Sequence, residues 1–191
     1  MKKEAASRRS FLAGSASAWL AASWPGIVAA QQHAHHAAQS GQPAKLEFLS
    51  PEQAAEIESV AAQIIPSDDT PGAREAHVIY FIDRALTTFD KSRQPVYIQG
   101  LKDLQAKTRE LFPGADKFSA LPPAGQIKVL TAIERSDFFA QVRLHTIVGF
   151  FANPEYGGNY DKSGWKLIGF DDSFNFQPPF GSYDRDYKPG A

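Results

Sequence analysis

From Ser50 onward, apolar residues recur every three or four positions, the period of a helix with one buried face. Ser50-Pro51-Glu52 has the chemistry of a helix start: a capping hydroxyl, proline at the first helical position and an acid in the first turn. Ala54, Ile57, Ala61, Ile64 and Ile65 follow on one face, and Pro66 stops the run. Residues 67–72 read as a loop. A second helix is predicted over 73–89, with Val78, Ile82, Ala85, Leu86 and Phe89 on its apolar face. A third covers 95–112, with Leu101, Leu104, Thr108 and Leu111 inward, and Pro113-Gly114 ends it. Leu121-Pro122-Pro123 leads into a fourth through Ile127, Leu130 and Ile133. The fifth, 136–151, is apolar on most sides. No stretch alternates as a strand does, and no segment repeats. The pattern predicts an all-α domain over 46–151, a small bundle of about five helices.

Two features break that regularity. A helix apolar nearly all round is buried at the centre of a bundle or covered by a partner. Beyond it the composition shifts: residues 150–191 hold eleven of the chain's 23 aromatics, interspersed with Gly and Pro. Such a segment cannot be one long helix, and it is too aromatic for an idle linker. Residues 152–191 are therefore expected to be irregular and to lie on the bundle, on another protein, or on both.

The first thirty residues form an address rather than a fold. Lys2, Lys3, Arg8 and Arg9 precede a short, Gly- and Ser-rich apolar run, and Val28-Ala29-Ala30 fits a cleavage site. The run falls short of the roughly 20 apolar residues of a membrane span. Ser7-Arg8-Arg9-Ser10-Phe11-Leu12 resembles the twin-arginine translocation motif, with Arg8, Arg9, Phe11 and Leu12 as its carriers. That route exports folded proteins to the periplasm. Residues 31–45, with His33, His35 and His36, read as a flexible leader without fixed ligand geometry.

Charge and chemistry narrow the functions. The formal net charge is −1, and removal of residues 1–30 takes four basic groups and one acidic group with it, leaving −4. No basic block remains for nucleic acid. The chain has no cysteine, which excludes disulfides, thiolate zinc sites, iron–sulfur clusters and covalent haem. No G-x-G-x-x-G, G-x-S-x-G or H-E-x-x-H is present. His145 with Asp137, or His77 with Asp83, could do acid–base work, and these residues support the alternative of a stand-alone exported hydrolase or lyase. The favoured reading of either histidine is a hydrogen-bonded structural group. Asp68-Asp69 and Asp171-Asp172 lack calcium-loop spacing and suit turns or caps. An electron carrier would need non-covalent haem or a metal on the histidines.

Two longer stretches carry a resemblance. The first is Ile64-Ile65-Pro66-Ser67-Asp68-Asp69-Thr70-Pro71-Gly72-Ala73, continuing to Phe81-Ile82-Asp83. The second runs from Val142 through Asn153-Pro154-Glu155-Tyr156-Gly157-Gly158-Asn159 to Gly164-Trp165 and Ile168-Gly169-Phe170. Together, over roughly 46–171, they resemble the gluconate 2-dehydrogenase subunit 3 family, the small subunits of periplasmic flavin-dependent dehydrogenases. The resemblance implies a non-catalytic chain without its own cofactor. Its large partner would be a glucose–methanol–choline-type oxidoreductase carrying FAD, joined in several complexes by a haem-bearing cytochrome c subunit. It also implies that the small subunit supplies the signal read by the twin-arginine translocase and assists maturation of the large one. Tyr156, Gly157, Gly158, Asn159 and Trp165 are candidates for both fold maintenance and partner contact. Phe170, Phe174, Phe176, Phe180 and Tyr183 are candidates for contact with the partner.

Overall fold

The computed structural model describes residues 45–173. Within them lie six α-helices and no strand: α1 Pro51–Ile64, α2 Val78–Thr87, α3 Gln94–Leu111, α4 Pro123–Ile133, α5 Asp137–Phe151 and α6 Ser163–Leu167. Short 3-10 turns occupy Lys91–Arg93, Phe118–Ala120, Pro154–Tyr156 and Tyr160–Lys162. The five expected helices are all present, and the fold is an all-α bundle. α5 is its centre, packed against α1, α2 and α3, while α4 closes against α1 and α3. No helix among the described residues is long and apolar enough to cross a membrane.

Local chemistry explains the helix starts. Ser50 Oγ accepts from the Gln53 amide at 3.3 Å, and Gln53 Oε1 accepts from the Ser50 amide at 3.0 Å, a reciprocal capping box. Ser136 Oγ accepts from the Phe139 amide at 3.1 Å and starts α5. α1 stops where the Ile65 amide reaches back to the Ala61 carbonyl and Pro66 offers no donor.

The second helix departs from its expected span. It begins at Val78, not residue 73, because residues 73–77 make a separate turn closed by His77 in the left-handed region, φ 55°. The Val78 amide bonds the Ala73 carbonyl at 3.1 Å, and the Ala73 amide bonds the Ile65 carbonyl at 2.9 Å. Ala73 and Ala76 are buried like helix residues, so their apolar spacing continues that of α2 although the backbone does not. The helix ends at Thr87, which leaves Phe89 outside it and 70% exposed. Ile127, expected inward on α4, is also exposed, because Val129 and Leu130 supply the buried face.

The segment before α1 is held from a distance. Asp83, buried on α2, accepts the amides of Glu47, Phe48 and Leu49 at 2.7, 3.1 and 2.8 Å. Glu56 on α1 likewise accepts the amides of Phe118 and Ser119 and the Ser119 hydroxyl, fixing the 3-10 turn between α3 and α4. Both acids convert buried or half-buried backbone donors into satisfied ones.

Candidate functional site

Two places in the described fold hold the residues singled out by sequence: the middle of α5, with its histidine, and the turn that follows α5. His145 lies on the buried face of α5, 3% exposed. Its carboxylate partner is Asp90, from the connection between α2 and α3, with His145 Nε2 2.9 Å from Asp90 Oδ2. The expected partner, Asp137, sits exposed in the first turn of α5, two helical turns away. On the other side of the ring, Nδ1 is 2.9 Å from the Tyr97 hydroxyl. Gln141 Nε2 lies 2.9 Å from His145 Nε2 and donates to Asp90 Oδ2 at 3.1 Å.

One proton arrangement satisfies the group. The ring carries its proton on Nε2 and donates to Asp90, and Nδ1 accepts from the Tyr97 hydroxyl. Burial, with the Asp90 charge adding to it, pushes the Tyr97 phenol far above its ordinary value, so it remains a donor. Burial holds the His145 imidazole below the ordinary value of 6.5, with Asp90 pulling against that shift and Arg93 adding to it. The histidine is thus neutral, with both nitrogens engaged inside the protein and neither presented to a substrate. His77 is no nearer to catalysis. It stacks on Tyr160 at 4.3 Å and meets the edge of Tyr80 at 5.8 Å, while its expected partner Asp83 serves the backbone of residues 47–49.

The state of His145 sets a pH dependence. Below pH 6.5 the unfolded chain takes a proton on this residue that the folded chain refuses, so folding stability falls with pH until the lowered folded value is reached. Above pH 6.5 the residue contributes no slope. Urea unfolding followed between pH 7.5 and 5 is expected to show a declining midpoint, and His145→Gln is expected to flatten that decline. An unchanged slope in the variant would place the effect elsewhere.

The turn after α5 is built by close approach and unusual backbone. Asn153 caps the 3-10 turn Pro154–Tyr156, and Gly157 takes a left-handed conformation, φ 104°. Gly158 then passes so near α5 that a Cβ there would stand 2.2 Å from the Gly149 carbonyl oxygen. Asn159 is fully buried, donating to the Ala152 carbonyl at 2.8 Å and accepting from the Gly164 amide at 2.8 Å. The Tyr160 amide bonds the Ala76 carbonyl at 3.0 Å, tying the turn to the α1–α2 connection. The Trp165 indole donates to the Phe151 carbonyl at 2.7 Å, which lays α6 across the end of α5.

Three non-glycine residues in this turn, Asn159, Asp161 and Lys162, have positive φ, and the fourth among the described residues is His77, packed against Tyr160. Left-handed backbone at ordinary residues costs roughly 1–3 kcal/mol each and gathers where a shape is functional.

The sequence candidates therefore separate. Gly158 and Asn159 are buried, and their atoms are used within the chain; they shape the turn rather than touch anything outside it. Gly157 and Trp165 are half-buried. Tyr156 and Phe170 are each 49% exposed and face outward. Arg8, Arg9, Phe11 and Leu12 lie outside the described residues, as do Phe174, Phe176, Phe180 and Tyr183. The segment beyond 152, expected to be irregular, contains two 3-10 turns and α6. Among the described residues no group of three or more histidines and acids could hold a metal. Asp68 makes a turn with Thr70, accepting its amide at 2.9 Å and its hydroxyl at 3.0 Å. Sequence reasoning missed Asp90 and Tyr97, because a contact between residues 55 or 48 positions apart leaves no periodic trace. It missed the anchoring role of Asp83, whose only signal is a lone acid amid Phe81, Ile82, Ala85 and Leu86.

A shallow groove of about 280 Å³ runs between α1, α4 and α5, floored by Ile64, Leu130 and Phe139 and edged by Glu134 and Arg143. No curated protein and no solved structure matches the chain. Residues 51–172 match the family described as "Gluconate 2-dehydrogenase subunit 3".

Proposed function

The chain belongs to the gluconate 2-dehydrogenase subunit 3 family, and from that membership we propose that it is a non-catalytic small subunit that escorts a large dehydrogenase subunit. Association with a larger dehydrogenase subunit is what the family implies. The proposal goes further. The partner carries FAD and oxidises a sugar, sugar acid or alcohol; this chain carries the twin-arginine signal for both proteins, assists maturation of the large subunit and works in the periplasm. A cytochrome c subunit completes the electron path in complexes that use one.

The single observation that carries the reading is the family match across 51–172, which takes in both the bundle and the strained turn. The state of His145 supports it. A hydrolase or lyase built on that residue would need a ring nitrogen free to meet a substrate, and within the core Nδ1 is taken by Tyr97 and Nε2 by Asp90. Co-expression with the large subunit tests the proposal. Flavin-dependent dehydrogenase activity is expected in the periplasm only when this chain is present, and the purified chain alone is expected to turn over nothing. An active large subunit that reaches the periplasm without it would refute the escort role.

A further inference from the structure

Residues 174–191 continue the chain beyond the described fold and carry Phe174, Phe176, Phe180, Tyr183 and Tyr187. So many aromatic rings in one short segment call for a surface to cover them. The fold shows where the segment sets out. Asp172 is held to Lys162 at 2.9 Å, the Lys162 ammonium stands 5.8 Å from the centre of the Trp165 ring, and the Trp165 indole donates to the Phe151 carbonyl at 2.7 Å. The chain therefore leaves the bundle beside the C-terminal end of α5.

From that end a ridge runs back along α5. Phe151, Ile147, Arg143 and Phe139 follow one another at intervals of four and so line up on the helix surface. Phe151, Ile147 and Phe139 are half-buried, and Arg143 is exposed. The ridge ends in the groove between α1, α4 and α5, where Phe139 and Arg143 meet Ile127 and Glu134. Ile127 is 55% exposed there. The groove's volume of about 280 Å³ is room for an aromatic ring, since an apolar cavity of about 150 Å³ already admits benzene.

Charge and tether select the occupant. Neither Glu134 nor Arg143 forms an ion pair among the described residues, so the groove carries one unanswered charge of each sign. Tyr183-Asp184-Arg185-Asp186-Tyr187 offers both signs between two aromatic rings. Phe139 lies about 18 Å along the helix axis from Phe151 at 1.5 Å per residue. The stretch from Ser173 to Tyr183 reaches up to about 35 Å when extended. A second copy would also bring both charges, but it has to be captured from solution, whereas a segment on so short a tether is present at roughly millimolar effective concentration.

We propose that the chain's own C-terminal segment, residues 174–191, runs back along the ridge from Phe151 to Phe139 and seats Tyr183 in the groove between α1, α4 and α5, with a flanking aspartate facing Arg143 and Arg185 facing Glu134. Apolar burial holds the segment, and the exposed ion pairs set its direction. The inference concerns this chain alone and does not rest on the escort reading.

The chain has no cysteine, so a pair of introduced cysteines reports the contact directly. Thr131 lines the groove and is exposed, and Ser182 stands next to Tyr183. In full-length chain, Thr131→Cys plus Ser182→Cys is expected to close an intramolecular disulfide at least tenfold faster than Ile98→Cys plus Ser182→Cys, whose α3 position is exposed outside the groove. Adding Tyr183→Ser to the first pair is expected to bring its rate down to that of the second, and adding Arg143→Glu to slow it several-fold. Circular dichroism and melting of each variant check the fold, which these positions leave intact. Equal rates for the two pairs would overturn the proposal. Fast closure that Tyr183→Ser leaves unchanged would show a segment passing the groove without a seat in it, and would overturn it too. A disulfide that joins two chains, seen as a dimer under non-reducing conditions, would assign the groove to a second copy instead. Closure that occurs only with a large dehydrogenase subunit present would make the seat the partner's work and equally overturn the proposal.

Discussion

Gly158→Ala is expected to lower stability by about 3 kcal/mol, or roughly 10 °C in melting temperature, and to free α6 from the bundle. The added methyl would sit 2.2 Å from the Gly149 carbonyl oxygen, a backbone atom in the last turns of the central helix that cannot swing aside as a side chain can. The turn must lift, and the bonds it delivers lift with it: Asn159 to the Ala152 carbonyl and the Gly164 amide, and Trp165 to the Phe151 carbonyl. Trp165 is the one tryptophan beyond residue 30, so its emission in a chain begun after Ala30 reads the loss directly as a red shift. Gly125→Ala is the control. Its Cβ would meet only ordinary contacts of 3.4–3.6 Å, with Leu121, Phe112 and Pro122, and replacing a helical glycine is neutral or stabilising by up to about 1 kcal/mol. Equal effects of the two substitutions would show that the turn is not pinned against α5.

Asp83→Ala is expected to cost about 2–4 kcal/mol. One buried carboxylate accepts three successive backbone amides, and hydrogen bonds to a charged acceptor contribute about 1.5–3 kcal/mol each. The loss stays below the sum, because residues 45–50 can peel away and return their amides to water. Asp83→Asn separates the contributions. Its remaining carbonyl oxygen can serve Phe48 and Leu49, which share Oδ1, while the amide nitrogen opposes the Glu47 donor now facing Oδ2. An intermediate loss is expected, with hydrogen exchange of the Glu47 amide rising most. Melting curves in which Asp83→Ala matches wild type would show that the segment before α1 is held by packing of Leu49 alone.

Both residues show how far sequence reading reached. Gly158 lies in Tyr156-Gly157-Gly158-Asn159, and paired glycines by themselves favour a tight turn after α5. That local signal marks the turn but not the reason for the second glycine. Gly157 needs its conformation; Gly158 needs the space, and space against a distant carbonyl is a tertiary fact. The five helices were legible because their signals are local: Ser50 as a cap, Pro66 and Pro113 as stops, and period-three-to-four apolar spacing between. The start of α2 was not, since Ala73 and Ala76 are buried at helical spacing while the chain turns through His77. For α5 the sequence supported two outcomes, a wholly buried helix or one covered by a partner. The structure buries one face and leaves Leu144 and Val148 outside. His145 was legible as a residue with a partner, but its partner was not: Asp90 reaches it from another element, and that pairing turns a catalytic candidate into a core polar group.

The most direct measurement of the central claim is co-expression of the large dehydrogenase subunit with wild-type chain and with Arg8→Lys plus Arg9→Lys, assaying flavin-dependent activity in the periplasm and pulling down this chain from each fraction. The account predicts active large subunit in the periplasm with wild type, the same complex retained in the cytoplasm with the double lysine variant, and co-purification in both. A large subunit that reaches the periplasm equally with either chain and never binds it would contradict the account.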